Sequence, residues 1–225
     1  MVKNDKEILY RRVFVWSWAL RLFHWSFALS CAVLLLTGIY IHSPPFTTKW
    51  AEFKPQYLMA TLRYYHFAAA YVFMAAVAVR LYLLFFGNRY ERFTDFLPIN
   101  RRNIHSLWQS LKFYLYLTDE HEWRMGHTVL AGTIYFLLFL AAIVMSLTGL
   151  YMLYPDISWI SKMGVTLFGS LQMARFIHYI LHWCFIFFVI VHLYIAIWND
   201  FKAPEAIISG AFSGSKFLPA EVEED

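Results

Sequence analysis

FIHYILHWCFIFFVIVHLYIAIWN, residues 176–199, decides the fold. These 24 residues contain no Asp, Glu, Lys or Arg. At 1.5 Å per residue a helix of that length covers about 36 Å, more than the roughly 30 Å of a bilayer's hydrocarbon core. It is apolar on every side rather than along one stripe, as expected where lipid and other helices are the neighbours. Three more stretches read alike: 22–42 and 128–154 are free of charge, and 64–87 is interrupted only by Arg80. The first is too long for a cleaved signal peptide, and it closes in Thr37-Gly38-Ile39-Tyr40 rather than at a small-x-small site. The sequence thus predicts an all-α membrane protein, a four-transmembrane-helix bundle forming a single membrane domain over 1–225, with 200–225 as its tail.

Composition agrees. Of 225 residues 60% are hydrophobic, 20% aromatic and only 15% charged. Soluble domains average about 25% charged and 45–50% apolar residues, and a globule of this length has too little interior to hide the excess. That excludes an ordinary soluble enzyme. The net charge of +4 comes from scattered basic residues in runs of at most two, which excludes a nucleic-acid partner. Cys31 and Cys184 form no Cys-x-x-Cys pair and are read as buried apolar thiols.

Orientation follows from Lys and Arg. Thirteen lie before the first span, in the connection at 88–127 and in the tail, whereas the two other connections hold five. The positive-inside rule places both termini and that connection in the cytoplasm. Within the connection SLWQSLKFYLYLT, residues 106–118, is too short to span, and Trp108, Leu111, Tyr114 and Leu115 share a helical face. It is read as a surface amphipathic helix between spans two and three. The acidic end, 221–225, is read as frayed.

An internal echo accompanies the four spans. Leu36-Thr37-Gly38-Ile39-Tyr40 closes span one as Leu147-Thr148-Gly149-Leu150-Tyr151 closes span three. Arg63-Tyr64-Tyr65-His66 opens span two as Arg175-Phe176-Ile177-His178 opens span four. Two related helical hairpins would give this pattern, and so would chance recurrence of common membrane residues.

Ionisable residues inside a membrane are costly and mark function by default. His178 and His192 are 14 residues apart on span four, about 40° short of four full turns and so on one face, separated by about 21 Å along the axis. Span one carries His24 near the cytoplasm, and span two, running inward, carries His66 near the outside. The depths pair His66 with His178 outside and His24 with His192 inside. Two imidazoles from facing helices at one depth are what a six-coordinate b-type haem requires, so the spacing points to two b haems across the bilayer. His182, one turn deeper than His178 on nearly the same face, is the alternative outer ligand. Gly38 and Gly149 would let a porphyrin face approach the backbone, or serve helix packing. Arg21, Arg63 and Arg175, one turn before a histidine, and the deep Arg80 are candidates for the propionates or for snorkelling to the interface.

These residues resemble the b-type cytochrome subunits of membrane-bound [NiFe] hydrogenases. Arg21-Leu22-Phe23-His24-Trp25 with Thr37-Gly38 is similar to that family's first signature. His66-Phe67-Ala68, the closing Gly87-Asn88-Arg89-Tyr90, Arg175-x-x-His178 with His192, and Ser209-Gly210-Ala211-Phe212 with Lys216-Phe217 resemble it further. Tyr179, Trp183 and Gly126-His127-Thr128-Val129 depart from the family pattern. The resemblance implies a dihaem anchor in the bacterial cytoplasmic (inner) membrane. It would receive electrons from the iron–sulfur small subunit of a periplasmic hydrogenase, and through it from the [NiFe] large subunit. It would pass them to a quinone, menaquinone or ubiquinone. His121, Glu122 and His127, clustered where span three begins, are the candidates for quinone binding or proton relay. A cytochrome subunit of a formate dehydrogenase or a thiosulfate- or polysulfide-type reductase shares the four helices and two haems. A haem-free transporter using histidines is the rival from another class.

Overall fold

A computed structural model describes residues 9–44, 57–118, 123–202 and 206–220. Its elements run β1 (Tyr10–Phe14), α1 (Trp18–His42), α2 (Leu58–Phe86), α3 (Phe93–Phe96), α4 (Arg101–Tyr114), α5 (Val129–Leu153), α6 (Ser158–Phe168), α7 (Leu171–Lys202), α8 (Ile207–Ser213) and β2 (Ser215–Pro219). Among the described residues, α1, α2, α5 and α7 are the helices long and apolar enough to cross a membrane. They overlap the four expected stretches, with α1, α2 and α7 beginning four, six and five residues earlier. On α7 a stripe of exposed side chains, Phe176, Ile180, Trp183, Phe187, Ile190, Tyr194, Ile197 and Phe201, recurs every three or four residues. In a bilayer that stripe faces lipid.

The contacts divide the chain into two units. One comprises residues 23–80 and 138–191. Its interior holds Phe27 stacked on Phe73 with ring centres 4.6 Å apart, and Phe185 stands 6.4 and 6.2 Å from the two. Lipid is as apolar as a side chain, so the helices gain through close contact rather than through escape from water. That favours small residues at crossings. Gly164 on α6 lies so near α5 that a Cβ there would be 2.2 Å from Tyr151 Cγ. Tyr151, Ile160 and Ala174 form a buried cluster with Tyr154, Met163 and Phe168, which holds α6 against the neighbouring ends of α5 and α7. The turn into α7 passes through Gly169 at φ 77°, a backbone region that favours glycine.

The other unit comprises residues up to 22, 81–137 and 192 onward. The tail in it is folded. Strand β2 pairs antiparallel with β1, from Tyr10 opposite Pro219 to Phe14 opposite Ser215. Asp200 accepts hydrogen bonds from the amides of Ile207 and Ile208 and so caps α8. Gly214, at φ 79°, ends α8, and its carbonyl accepts from the amides of both Val15 and Trp16. Lys216 is only 5% exposed, and its ammonium donates to the carbonyls of Arg124 and Gly126 at 3.2 and 3.3 Å. The carboxylate of the buried Glu91 accepts from the amides of Ser17 and Asn88, both at 3.0 Å.

The surface helix α4 starts and stops earlier than the sequence suggests. Asn100 caps it by accepting from the Asn103 amide at 2.7 Å, and Tyr116, at φ 57°, ends it. Its inward face is polar, with Asn103, Ser106 and Ser110 buried, while Ile104 and Trp108 point outward. Outward apolar residues on a short polar-backed helix suit a membrane interface. One expectation is corrected. Cys31 is buried but Cys184 is exposed, because it falls beside Trp183 on the outward side of α7.

Candidate functional site

In the unit of residues 23–80 and 138–191, two threonines hold two histidines in the same way. Thr37 Oγ1 on α1 lies 2.8 Å from His66 Nδ1 on α2. Thr148 Oγ1 on α5 lies 2.9 Å from His178 Nδ1 on α7. Each hydroxyl also lies near the carbonyl four residues back, Thr37 at 2.7 Å from Val33 and Thr148 at 2.9 Å from Val144. A hydroxyl has one proton, and the carbonyl can only accept it. A hydroxyl that gives its one proton to the carbonyl accepts from the imidazole, the arrangement of an Nδ1–H tautomer in both rings. Each Nε2 keeps its lone pair, the state in which a neutral imidazole binds a metal.

The glycines of the echo lie against the same rings. A Cβ on Gly38 would be 3.1 Å from His182 Cε1 and 3.7 Å from His66 Cε1. One on Gly149 would be 3.6 Å from His178 Cε1. His66, His178 and His182 are within electrostatic reach of one another. Among the described residues no hydrogen bond orients the His182 ring, which meets Trp183 edge-on. His42, at the end of α1, stacks on Tyr179 with ring centres 4.3 Å apart. Among the described residues no group of three or more His, Cys, Asp or Glu forms a metal site. A haem asks only for axial imidazoles, since the porphyrin supplies the remaining ligands. Two imidazoles with Nε2 open, a glycine beside each and apolar walls fit that group.

The second pair is placed residue by residue. His24, half-buried, meets Trp25 edge-on at 5.2 Å between ring centres, and belongs to the same unit as His66. Arg80 of that unit carries its guanidinium 5.9 Å from the ring centre of Phe23. His192 belongs to the other unit, where Tyr135 approaches it with the hydroxyl 3.4 Å from Nδ1. Tyr135 in turn meets His127 edge-on at 5.1 Å, and His127 stacks on Trp16 at 5.7 Å. Trp16 packs over Gly210, where a Cβ would fall 2.7 Å from the indole. The folded tail thus fixes the surroundings of His127. His121 and Glu122 lie outside the described residues. Arg21 donates to the carbonyl of Phe212 in α8, Arg175 is exposed and donates to Gln172, and Arg63 is exposed.

The echo contained Thr37 and Thr148, and Thr37 also stood in the first signature, but neither was assigned a role from the sequence. Tyr135 and Trp16 carried no signal, since an aromatic in a span or at its mouth is ordinary.

Four apolar spanning helices, with imidazoles set on two of them by hydroxyls of their neighbours, define a multi-pass membrane protein equipped for haem. The chain belongs to the prokaryotic cytochrome b561 family, whose model matches residues 15–214. It is 34% identical to the probable Ni/Fe-hydrogenase B-type cytochrome subunit of Azotobacter vinelandii, over 90% of this chain and 87% of that one. It is 33% identical to the protein so described from Cupriavidus necator, over 95% and 89%. The probable Ni/Fe-hydrogenase 1 B-type cytochrome subunit of Escherichia coli K12 is 27% identical, over 94% and 92%.

Proposed function

We propose that this protein is the membrane cytochrome subunit of a [NiFe] hydrogenase and carries electrons from the hydrogenase's iron–sulfur small subunit to a membrane quinone. The observation that carries the reading is the Thr37–His66 and Thr148–His178 geometry, joined to the family match and to relatives described as hydrogenase cytochrome subunits. When bound, b haems supply one-electron carriage through a medium that electrons otherwise cross slowly.

The chain's own residues do the rest. His66 and His178 would hold an outer haem, and His24 and His192 an inner one. Gly38 and Gly149 leave room beside the outer ligands, and the Phe27–Phe73–Phe185 cluster keeps water from the interior. Both termini face the cytoplasm of a bacterial inner membrane, because thirteen of the Lys and Arg residues lie in the ends and the 88–127 connection and five in the other two connections. Quinone gains two electrons and two protons as it becomes quinol. On the cytoplasmic side His127 stands between Trp16 and Tyr135, and its imidazole passes protons near neutral pH. His121 and Glu122 are its neighbours in sequence and complete the proton-handling set.

Membranes containing the hydrogenase complex test this. Dihydrogen should reduce b haem in the wild type, and added quinone should reoxidise it. In a strain lacking this chain, hydrogenase should still reduce a soluble dye but not quinone. Quinone reduction that persists without the chain contradicts the proposal.

A further inference from the structure

The echo in the sequence has a structural counterpart that fixes more than a resemblance between hairpins. An offset of 111 residues carries Thr37-Gly38 of α1 onto Thr148-Gly149 of α5, and an offset of 112 carries His66 and Phe73 of α2 onto His178 and Phe185 of α7. The hydroxyl–imidazole contact is reproduced to within 0.1 Å, at 2.8 and 2.9 Å, across 29 and 30 residues of chain. The same offsets carry His24 onto Tyr135, and Arg80 onto His192. The repeat therefore places one hydroxyl-held histidine on α2 and another on α7, but does not reproduce the His24–His192 pair.

We infer that Thr37 and Thr148 are positioning residues for the outer haem. Each fixes the ring orientation and Nδ1–H tautomer of one axial histidine and raises the donor strength of its Nε2. The inference rests on the reading of His66 and His178 as that haem's ligands. The geometry supports it in three ways. Both threonines are buried, at 6% and 0% exposure, so no water competes for the imidazole proton. Each hydroxyl is itself committed to a backbone carbonyl, which removes its freedom to donate toward the ring. A partner accepting from a ligating imidazole makes the opposite nitrogen more basic, and loss of such partners weakens metal binding by about 10- to 100-fold. A more basic ligand favours ferric over ferrous iron, so the two threonines hold the outer haem's potential down. His182 lies nearer Gly38 than His66 does but has no such hydroxyl among the described residues, which favours His178 in the ligand role.

The test uses the full chain purified in detergent, with Thr37→Val, Thr148→Val, Thr37→Ser and Thr148→Ser. Valine keeps the shape of threonine and removes the hydroxyl, whereas serine keeps the hydroxyl. Haem titration and a potentiometric titration of the optical spectrum are the readouts. Each valine variant should weaken haem retention at one site by about 10- to 100-fold and raise that haem's potential. It should leave the other haem in place as proof of folding, and both serine variants should behave as wild type. Wild-type protein with two haems whose valine variants keep both the affinity and the potentials overturns the positioning role alone. Valine and serine variants that lose the haem alike show a packing role and also overturn it. Wild-type protein that takes up no haem overturns the ligand reading beneath it.

Discussion

Gly38 abuts His182 so closely that an added Cβ would lie 3.1 Å from its Cε1 and 3.2 Å from its Nδ1. The repeat-related Gly149 leaves 3.6 Å to His178 Cε1, an ordinary contact. Gly38→Ala should therefore disturb the outer imidazoles and lower haem occupancy there several-fold, while Gly149→Ala, whose methyl meets only an ordinary contact, should lower it less. Haem-to-protein ratios of the two purified variants check this, and equal losses would count against the placement of Gly38.

Gly164 is a packing position. A Cβ 2.2 Å from Tyr151 Cγ forces α6 away from α5, at a cost of about 1–3 kcal/mol. Gly164→Ala should lower the midpoint of thermal unfolding in detergent while the haem spectrum at low temperature stays unchanged.

Lys216 closes the folded tail over the start of span three. Replacing it with Met removes the donor to the Arg124 and Gly126 carbonyls and costs roughly 1–3 kcal/mol. Faster hydrogen exchange at residues 123–128 is the expected readout. Exchange as slow as in the wild type would show that the tail does not clamp this segment.

Tyr135 meets both His127 and His192 edge-on, at 5.1 and 5.7 Å between ring centres. His127→Ala should leave both haems bound and reducible by dihydrogen, yet slow quinone reduction by roughly a hundred-fold, the scale of a lost proton-transfer group. Unchanged quinone turnover would remove His127 from the proton path.

The spans were legible because a membrane leaves a helix no alternative to long uncharged runs. α1, α2, α5 and α7 accordingly lie where residues 22–42, 64–87, 128–154 and 176–199 place them. Helical periodicity also put His178 and His192 on one face. The tail was not legible. β1 and β2 are five residues each, and they pair across some two hundred residues through backbone bonds that carry no side-chain code. The inward face of α4 was hidden for a related reason: Arg124 and the Asp95 carbonyl reach Asn103 and Ser106 only once the connection is folded. Thr37 and Thr148 were visible as repeated letters, but their bonds to His66 and His178 required the helices to be brought together.

The central claim is that four histidines hold two haems in fixed pairs. Its most direct test is the haem-to-protein ratio and dithionite-reduced spectrum of single His→Ala variants purified in detergent. Two b haems per wild-type chain are expected. His66→Ala and His178→Ala should lose the same one, His24→Ala and His192→Ala the other, and His182→Ala neither. A wild-type chain without haem, or a haem lost on replacing His182 and kept on replacing His178, would contradict it.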